Sequence, residues 1–382
     1  MRLLYVIDSV VAAGAERSLV ALTTQYVRKG HEVEVVYLHD RPGLQPELTA
    51  AGASLTCVDG PGGRAGWLAR VTARARRSRP DLVHTTLFEA DVVGRVAARL
   101  AGVPVVSTLA AETYGPSHLS DPDLRRWKVR STQAVDAATA RLTRRLHAVA
   151  TSVADEMSVR LHYPRDRIDV VTRGRDPSEL GRRTPDRRAA ARRALGVTDE
   201  ARVLLAVARH EHQKGLDVLL AALPAIRSQV PQARLVVAGR TGNQTATLEA
   251  YIADHDLGRS VTFLGARDDV SDLLAGADLF VFPSRREGSP GALIEAMALE
   301  LPAVVSDIPQ NREVADERSA RFVPVEVPDP LAAAVVELLD EPARAAELAR
   351  NARAVFESRF QIGAVADRMV AFYERALGTG HG

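Results

Sequence analysis

The sequence contains one cysteine, Cys57, in 382 residues. One cysteine excludes an intramolecular disulfide and a cysteine-rich metal site, so nothing here calls for an oxidising compartment. Aromatic residues are scarce, 4% of the chain, and no base-reading motif accompanies the arginines, which argues against nucleic-acid binding. Long apolar runs are missing as well: no segment reaches the roughly 18 residues that crossing a bilayer requires. The first apolar run, Leu3 to Ile7, meets Asp8 too soon to serve as a signal peptide. Cytoplasmic residence is the expectation that follows. An excess of either charge is also lacking, with 50 Lys+Arg against 48 Asp+Glu.

What is present is a chain able to bury a core. Hydrophobic residues make up 46% of it, which excludes disorder and a collagen-like repeat. At roughly 100 to 200 residues per domain, the length suggests two. The balanced charge conceals an asymmetry: residues 1–175 hold 25 Lys+Arg and 18 Asp+Glu, a net +7, and residues 176–382 hold 25 and 30, a net −5. A basic half can attract phosphates, an anionic acceptor or an acidic membrane surface, so peripheral membrane contact is one expectation. Its Arg-rich stretches, 74–79 and 141–145, read as helical, with a solvated face as the plainer role. Cys57, within the strand-like Leu55 to Val58, reads as a buried filler.

Short Val/Ile/Leu runs alternate with segments of helical periodicity, the pattern of parallel α/β sheets. Strands are expected at Leu3–Ile7, Val33–Tyr37, Leu82–His84, Val103–Thr108, Leu146–Ala150 and Ile168–Val171. Residues 176–194 turn to Pro, Asp, Gly and Arg, and a second series begins with strand Val203–Ala208. Further strands follow at Leu235–Ala238, Val261–Leu264, Leu279–Phe282 and Ala303–Ser306, then helices to the end. The expected organisation is a domain over 1–175, a second over 176–360 and a helix over 361–377 packing back onto the first. In doubly wound sheets, ligands bind beyond the carboxyl ends of the strands. The loops after Ile7, Ala208, Ala238, Leu264 and Phe282 are therefore where chemistry is expected.

The most telling stretch runs from Phe282 to Ala298: a strand enters the loop Pro283-Ser284-Arg285-Arg286-Glu287-Gly288-Ser289-Pro290-Gly291-Ala292 and then a helix. Such a junction turns backbone N–H groups outward, suited to an anion or to sugar oxygens. Pro290 suits the first helical turn, which needs no N–H there. Glu287 and Glu295 stand eight residues apart and can accept hydrogen bonds from hydroxyls. Taken alone, Glu295 is as well explained as an acid favoured by the helix dipole.

This segment resembles the E-x7-E motif, in its EG-x-P variant, of the retaining glycosyltransferases of the family-4 group, which have the GT-B fold. The resemblance extends over nearly the whole chain. Ala12-Ala13-Gly14-Ala15 is similar to the family's glycine loop, and Val203–Ala208 with Arg209 and Lys214-Gly215 to its strand ending in Arg followed by Lys-Gly. Val261–Gly265 and Leu301–Asp307 match later signatures. The fold so implied is α/β, two facing Rossmann-like doubly wound domains with a cleft between them.

The resemblance implies roles residue by residue. Glu287, Arg209 and Lys214 are the catalytic candidates, the two cations stabilising a leaving diphosphate without a metal. Glu295 would hold ribose hydroxyls and Glu287 those of the transferred sugar, with the backbone of Gly288, Ser289, Pro290, Gly291 and Ala292 contacting sugar and phosphate. Gly14 would let main chain approach the diphosphate, and Gly239, Arg240 and Leu264 would border the base. No cofactor is required; the donor substrate is a nucleoside diphosphate sugar, UDP-linked in preference to GDP-linked. Asp121-Pro122-Asp123 matches a D-x-D metal pattern, with helix capping the favoured role.

Departures concern the acceptor side. Many relatives carry a histidine after the strand that here runs into Ser107-Thr108-Leu109-Ala110-Ala111-Glu112, and none is present. His84 and Glu112 are the weak candidates left, His84 being more readily structural. The domain junction reads Arg173-Gly174-Arg175-Asp176, and Glu300 stands where relatives have glycine. The expected function is retaining transfer of a hexose-type sugar to an acceptor hydroxyl of a saccharide, lipid-linked saccharide or small metabolite. The alternatives are a nucleotide-sugar epimerase on the same fold and a non-catalytic nucleotide-sugar-binding protein.

Overall fold

β-Branched and aliphatic runs with no polar alternation become strands covered on both faces, and these run parallel. The computed structural model describes residues 1–115, 119 and 125–379, so Asp121 and Asp123 lie outside the described residues. The chain divides into two units, Met1–Arg175 with Ile362–Gly382, and Asp176–Gln361.

The first unit is built on strands β1 (Arg2–Ile7), β2 (Glu32–Tyr37), β3 (Ser54–Cys57), β4 (Leu82–Thr86), β5 (Val105–Leu109), β6 (Arg145–Ala148) and β7 (Ile168–Val170). They form one parallel sheet in the order β3-β2-β1-β4-β5-β6-β7. The order reverses between β1 and β4, the switch point where ligand crevices open. Asp8 follows β1 there and accepts a hydrogen bond from Ala90 N at 2.7 Å, tying β1 to the Phe88–Ala101 helix. Burial pushes the Asp8 carboxyl up to about 6. In the same helix the fully buried Arg95 donates to Asp136 Oδ1 at 2.6 Å and Ser107 Oγ at 2.8 Å, joining helix Arg126–Ala140 to β5.

Helix Ile362–Leu377 belongs to this unit. Its residues Val365, Met369, Phe372 and Ala376 recur at helical spacing and pack with Leu3, Ile7, Leu19 and Tyr26. Among the described residues no helix is long and apolar enough to cross a membrane.

The second unit repeats the plan with β8 (Arg202–Val207), β9 (Ala233–Ala238), β10 (Val261–Phe263), β11 (Leu279–Phe282), β12 (Ala303–Ser306) and β13 (Arg321–Val323), in the order β10-β9-β8-β11-β12-β13. All pairs are parallel, with apolar clusters on both faces. Its switch point lies between β8 and β11.

Three expectations need correction. Cys57 is exposed, not buried: β3 is an edge strand, and Val58 is the residue turned inward. The stretch 141–145 is not helical; the helix ends at Ala140 and Arg145 opens β6. A strand, β13, follows Ser306 where only helices were expected, because three residues are too few to display a period.

Candidate functional site

The loops leaving β8 and β11 flank the switch point of the second sheet, and each ends at a helix. After β8 come Arg209 and a single 3₁₀ turn, His212–Lys214, closed by Gly215 at φ +63. A Cβ on Gly215 would lie 2.1 Å from the carbonyl oxygen of Pro283, in the loop after β11. Only glycine allows the two loops this approach. It also brings together charges far apart in sequence: Lys214 Nζ donates to Glu287 Oε1 at 2.7 Å, with side-chain exposures of 14% and 8%. The ammonium lies 5.9 Å from the centre of the Phe282 ring. Arg209, by contrast, is partly exposed and pairs with Glu211 within its own loop.

The loop carrying Glu287 is held at two points. Ser306 Oγ, at the end of β12, donates to Ser284 O at 2.5 Å. The Arg285 guanidinium reaches back to the β8 loop, donating to His212 O at 2.6 Å and to both oxygens of Asp217 at 2.9 and 2.7 Å. Ser289 is buried with no partner for its Oγ, and Gly288 is half-buried. Pro290 is the N-cap of helix Gly291–Ala298 rather than a residue of its first turn, and no side chain caps that helix. Glu295 is half-buried at the fifth helical position, beyond the first turn, so a dipole-favoured first-turn role does not apply.

Gly239 opens the loop after β9. A Cβ there would lie 1.8 Å from Ala208 O, and its N–H donates to Gly265 O at 2.8 Å, so the loops after β8, β9 and β10 stack through it. Arg240 is exposed, and its carbonyl accepts from His210 N at 3.1 Å. Leu264 is half-buried and continues the ladder beside Val237. The buried His210 ring lies 4.4 Å from that of Phe263, and burial lowers its pKa.

In the first unit, Gly14 opens helix Gly14–Arg28, and a Cβ on it would lie 2.4 Å from Arg173 Nη1. The space a side chain would fill is taken by this guanidinium, the end of a flexible side chain that can move aside, so the contact by itself does not demand glycine. Glu112 folds over Gly115, where a Cβ would meet its Oε1 at 2.5 Å. His84 is 2% exposed with both ring nitrogens engaged.

The partners of His84 fix a direction. His147 Nε2 lies 2.8 Å from Val171 O, a carbonyl that only accepts, so Nε2 carries the proton and Nδ1 accepts from Thr108 Oγ1 at 2.9 Å. With its proton so used, Thr108 accepts from His84 Nε2 at 2.6 Å. His84 Nδ1 then accepts from Tyr373 OH at 2.8 Å, and Tyr373 in turn accepts from Tyr5 or Tyr26. Burial depresses both imidazoles, His84 well below 6.5 and His147 to about 4. One-way hydrogen bonding of neutral groups thus runs from the C-terminal helix across β4, β5 and β6. Sequence reasoning missed this network and Arg285. Arg285 could have been noted as a cation beside Glu287; Tyr373 gave no local signal.

Comparison with known proteins identifies the family. The family models described as Glycosyltransferase Family 4 and Glycosyl transferases group 1 match residues 12–179 and 187–355. The D-inositol 3-phosphate glycosyltransferase of Thermobispora bispora is 30% identical over 404 residues, covering 97% of this chain and 91% of its own. The alpha-D-kanosaminyltransferase of Streptomyces kanamyceticus is 26% identical, covering 80% of each chain. In fold, the chain superposes on Anabaena HepE crystallised with UDP and glucose, with a TM-score of 0.87, 22% identity and coverage of 98% and 99%. With its two doubly wound sheets and sequence similarity to the Thermobispora enzyme along 97% of its length, the chain belongs to glycosyltransferase family 4, of the GT-B fold.

Proposed function

We propose that the chain transfers a hexose-type sugar from a nucleoside diphosphate donor to an acceptor hydroxyl, with retention of anomeric configuration and without a metal. The observation that carries this reading is the Lys214–Glu287 pair, set where the loops after β8 and β11 meet. A departing diphosphate gains negative charge, and a fixed ammonium beside it lowers the barrier. Lys214 has three N–H donors and spends one on Glu287, so it can bind a phosphate oxygen while remaining anchored. Arg209 adds a second cation once phosphate competes with Glu211 for it. Glu287, held by Lys214, accepts from the hydroxyls of the transferred sugar, and Glu295 from ribose. The backbone N–H groups of Gly288, Ser289 and Ala292, at the start of a helix without a side-chain cap, complete the phosphate contacts. Gly239, Arg240 and Leu264 border the base. Retention by front-face substitution, with the departing phosphate taking the acceptor proton, needs no carboxylate nucleophile.

The UDP preference is supported by HepE, a structure of the same fold with UDP and glucose. The Thermobispora relative's name adds a phosphorylated polyol to the acceptors worth testing. Contact of the basic half with an anionic surface stays within the proposal, supported by Trp127, 66% exposed between Arg126 and Lys128.

The test is a panel of UDP-, GDP- and dTDP-sugars with saccharide, lipid-linked and D-inositol 3-phosphate acceptors, product anomers being read by NMR. Transfer with retention, unaffected by EDTA, is the expected result. Glu287→Gln and Lys214→Ala should each lower kcat/KM by about 100-fold. Unchanged turnover in both variants overturns the site, and absence of binding by every donor overturns the reading.

A further inference from the structure

We infer that Arg285 is a positioning residue of the donor site, clamping the loop that carries Glu287 to the turn that carries Lys214 and so fixing the geometry of that pair. The inference rests on the donor-site reading above.

Lys214 and Glu287 come from separate loops, 73 residues apart. A lysine stem is flexible, so a stable pair at this spot requires the two backbones to be locked together. Arg285 locks them by main chain and side chain at once. Its N–H donates to Gln213 O at 2.8 Å. Its Nη1 donates to His212 O at 2.6 Å, and its fork meets Asp217, in the first turn of helix Leu216–Gln229, through Nη1 and Nη2 at 2.9 and 2.7 Å. Nε takes Glu326 Oε1 at 2.7 Å. Every residue from His212 to Lys214 is thereby gripped or adjacent to a gripped one, and Glu287 is two residues from the grip.

The charges separate this role from phosphate binding. One guanidinium faces two carboxylates, Asp217 and Glu326, and its side chain is only 13% exposed. Burial alone would raise the Asp217 pKa, but the Arg285 bonds and charge outweigh it and hold the carboxyl below its usual range. Arg285 is spent on protein partners, while Lys214 and Arg209 remain for the donor. A point-charge lysine cannot span a carbonyl and both oxygens of a carboxylate, so lysine should not substitute.

The experiment is a cycle in the full chain: Lys214→Ala, Arg285→Ala, the double variant, and Arg285→Lys. If Arg285 acts through Lys214, Arg285→Ala lowers kcat about 10- to 100-fold with a smaller effect on donor KM. Added to Lys214→Ala, it lowers kcat no further, and Arg285→Lys does not rescue it. Multiplying losses in the double variant, wild-type turnover in Arg285→Ala, or full rescue by lysine overturns the inference. Should Arg285→Ala fail to fold, Asp217→Asn removes the carboxylate's charge and weakens the fork while sparing the arginine, and the same outcomes are read from it. A second measurement is independent of turnover. The chain has three lysines, Lys29, Lys128 and Lys214, so the Lys214 side chain can be followed by lysine-selective NMR. Its ring-shifted signal should average out in Arg285→Ala. A persisting shift overturns the clamp even if no donor binds, whereas failure of donor binding with the shift lost overturns only the donor-site reading.

Discussion

Glycine 215 shows how much of the candidate site depends on what a residue lacks. Its missing side chain lets the turn bearing Lys214 touch the loop bearing Glu287, and its φ of +63 is one that side chains rarely adopt. Gly215→Ala should lower stability by about 2 kcal/mol or more. Because the strain falls on the Lys214 turn, kcat should fall as well; a melting curve and an unchanged turnover in the same variant would separate the two effects and remove Gly215 from the site. Glu300 adopts φ 52. That left-handed backbone explains why glycine suits the position, and this chain tolerates the strain at an exposed residue. The pair Glu287 and Lys214 was legible from order along the chain; their 2.7 Å contact was not.

At the scale of elements, the buried wire ties the C-terminal helix to three strands. Burial, assisted by the charge of Arg173 and opposed by the bond to Val171 O, lowers His147 from the ordinary 6.5 to about 4. The unfolded chain therefore takes up a proton below about pH 6.5 that the folded chain refuses until about pH 4. Stability contributed by the neutral imidazole is complete above 6.5 and is lost as pH falls toward 4, a change of about 3 kcal/mol. Asp8 and Asp91, raised by burial to about 6 and 7, act in the opposite sense. Their effect cancels in the difference between wild type and His147→Gln. That difference should shrink by about 3 kcal/mol between pH 7 and pH 4. Both tryptophans, Trp67 and Trp127, lie in the first unit, so fluorescence in denaturant reports its unfolding. A difference independent of pH would show that the network does not hold His147 neutral.

For the whole molecule, the division into units places the C-terminal helix with the N-terminal sheet, although 186 residues of the second unit lie between them. The helix completes an apolar cluster with Tyr5, Leu19 and Tyr26. A chain ending at Gln361 should expose that face, bind a hydrophobic dye and lose cooperative unfolding of the first unit while the second keeps its own core. A truncated chain with wild-type tryptophan unfolding would contradict this. The alternation of strands and helices was readable in both halves because most strands are short runs rich in Val, Ile and Leu, set between segments of helical period. β13 was not, since Arg321–Val323 is too short to show a period. Nor was the exposure of Cys57, which depends on β3 being an edge.

By itself the sequence determined the two α/β series and the change of composition near Asp176, because those depend on local periodicity and turn residues, and its motif order marked the segments of the candidate site. The tertiary structure decided which charges meet. Lys214 reaches Glu287 across 73 residues and His84 reaches Tyr373 across 289. Such contacts are set by strand order and by where crossover loops land, and no local pattern encodes either.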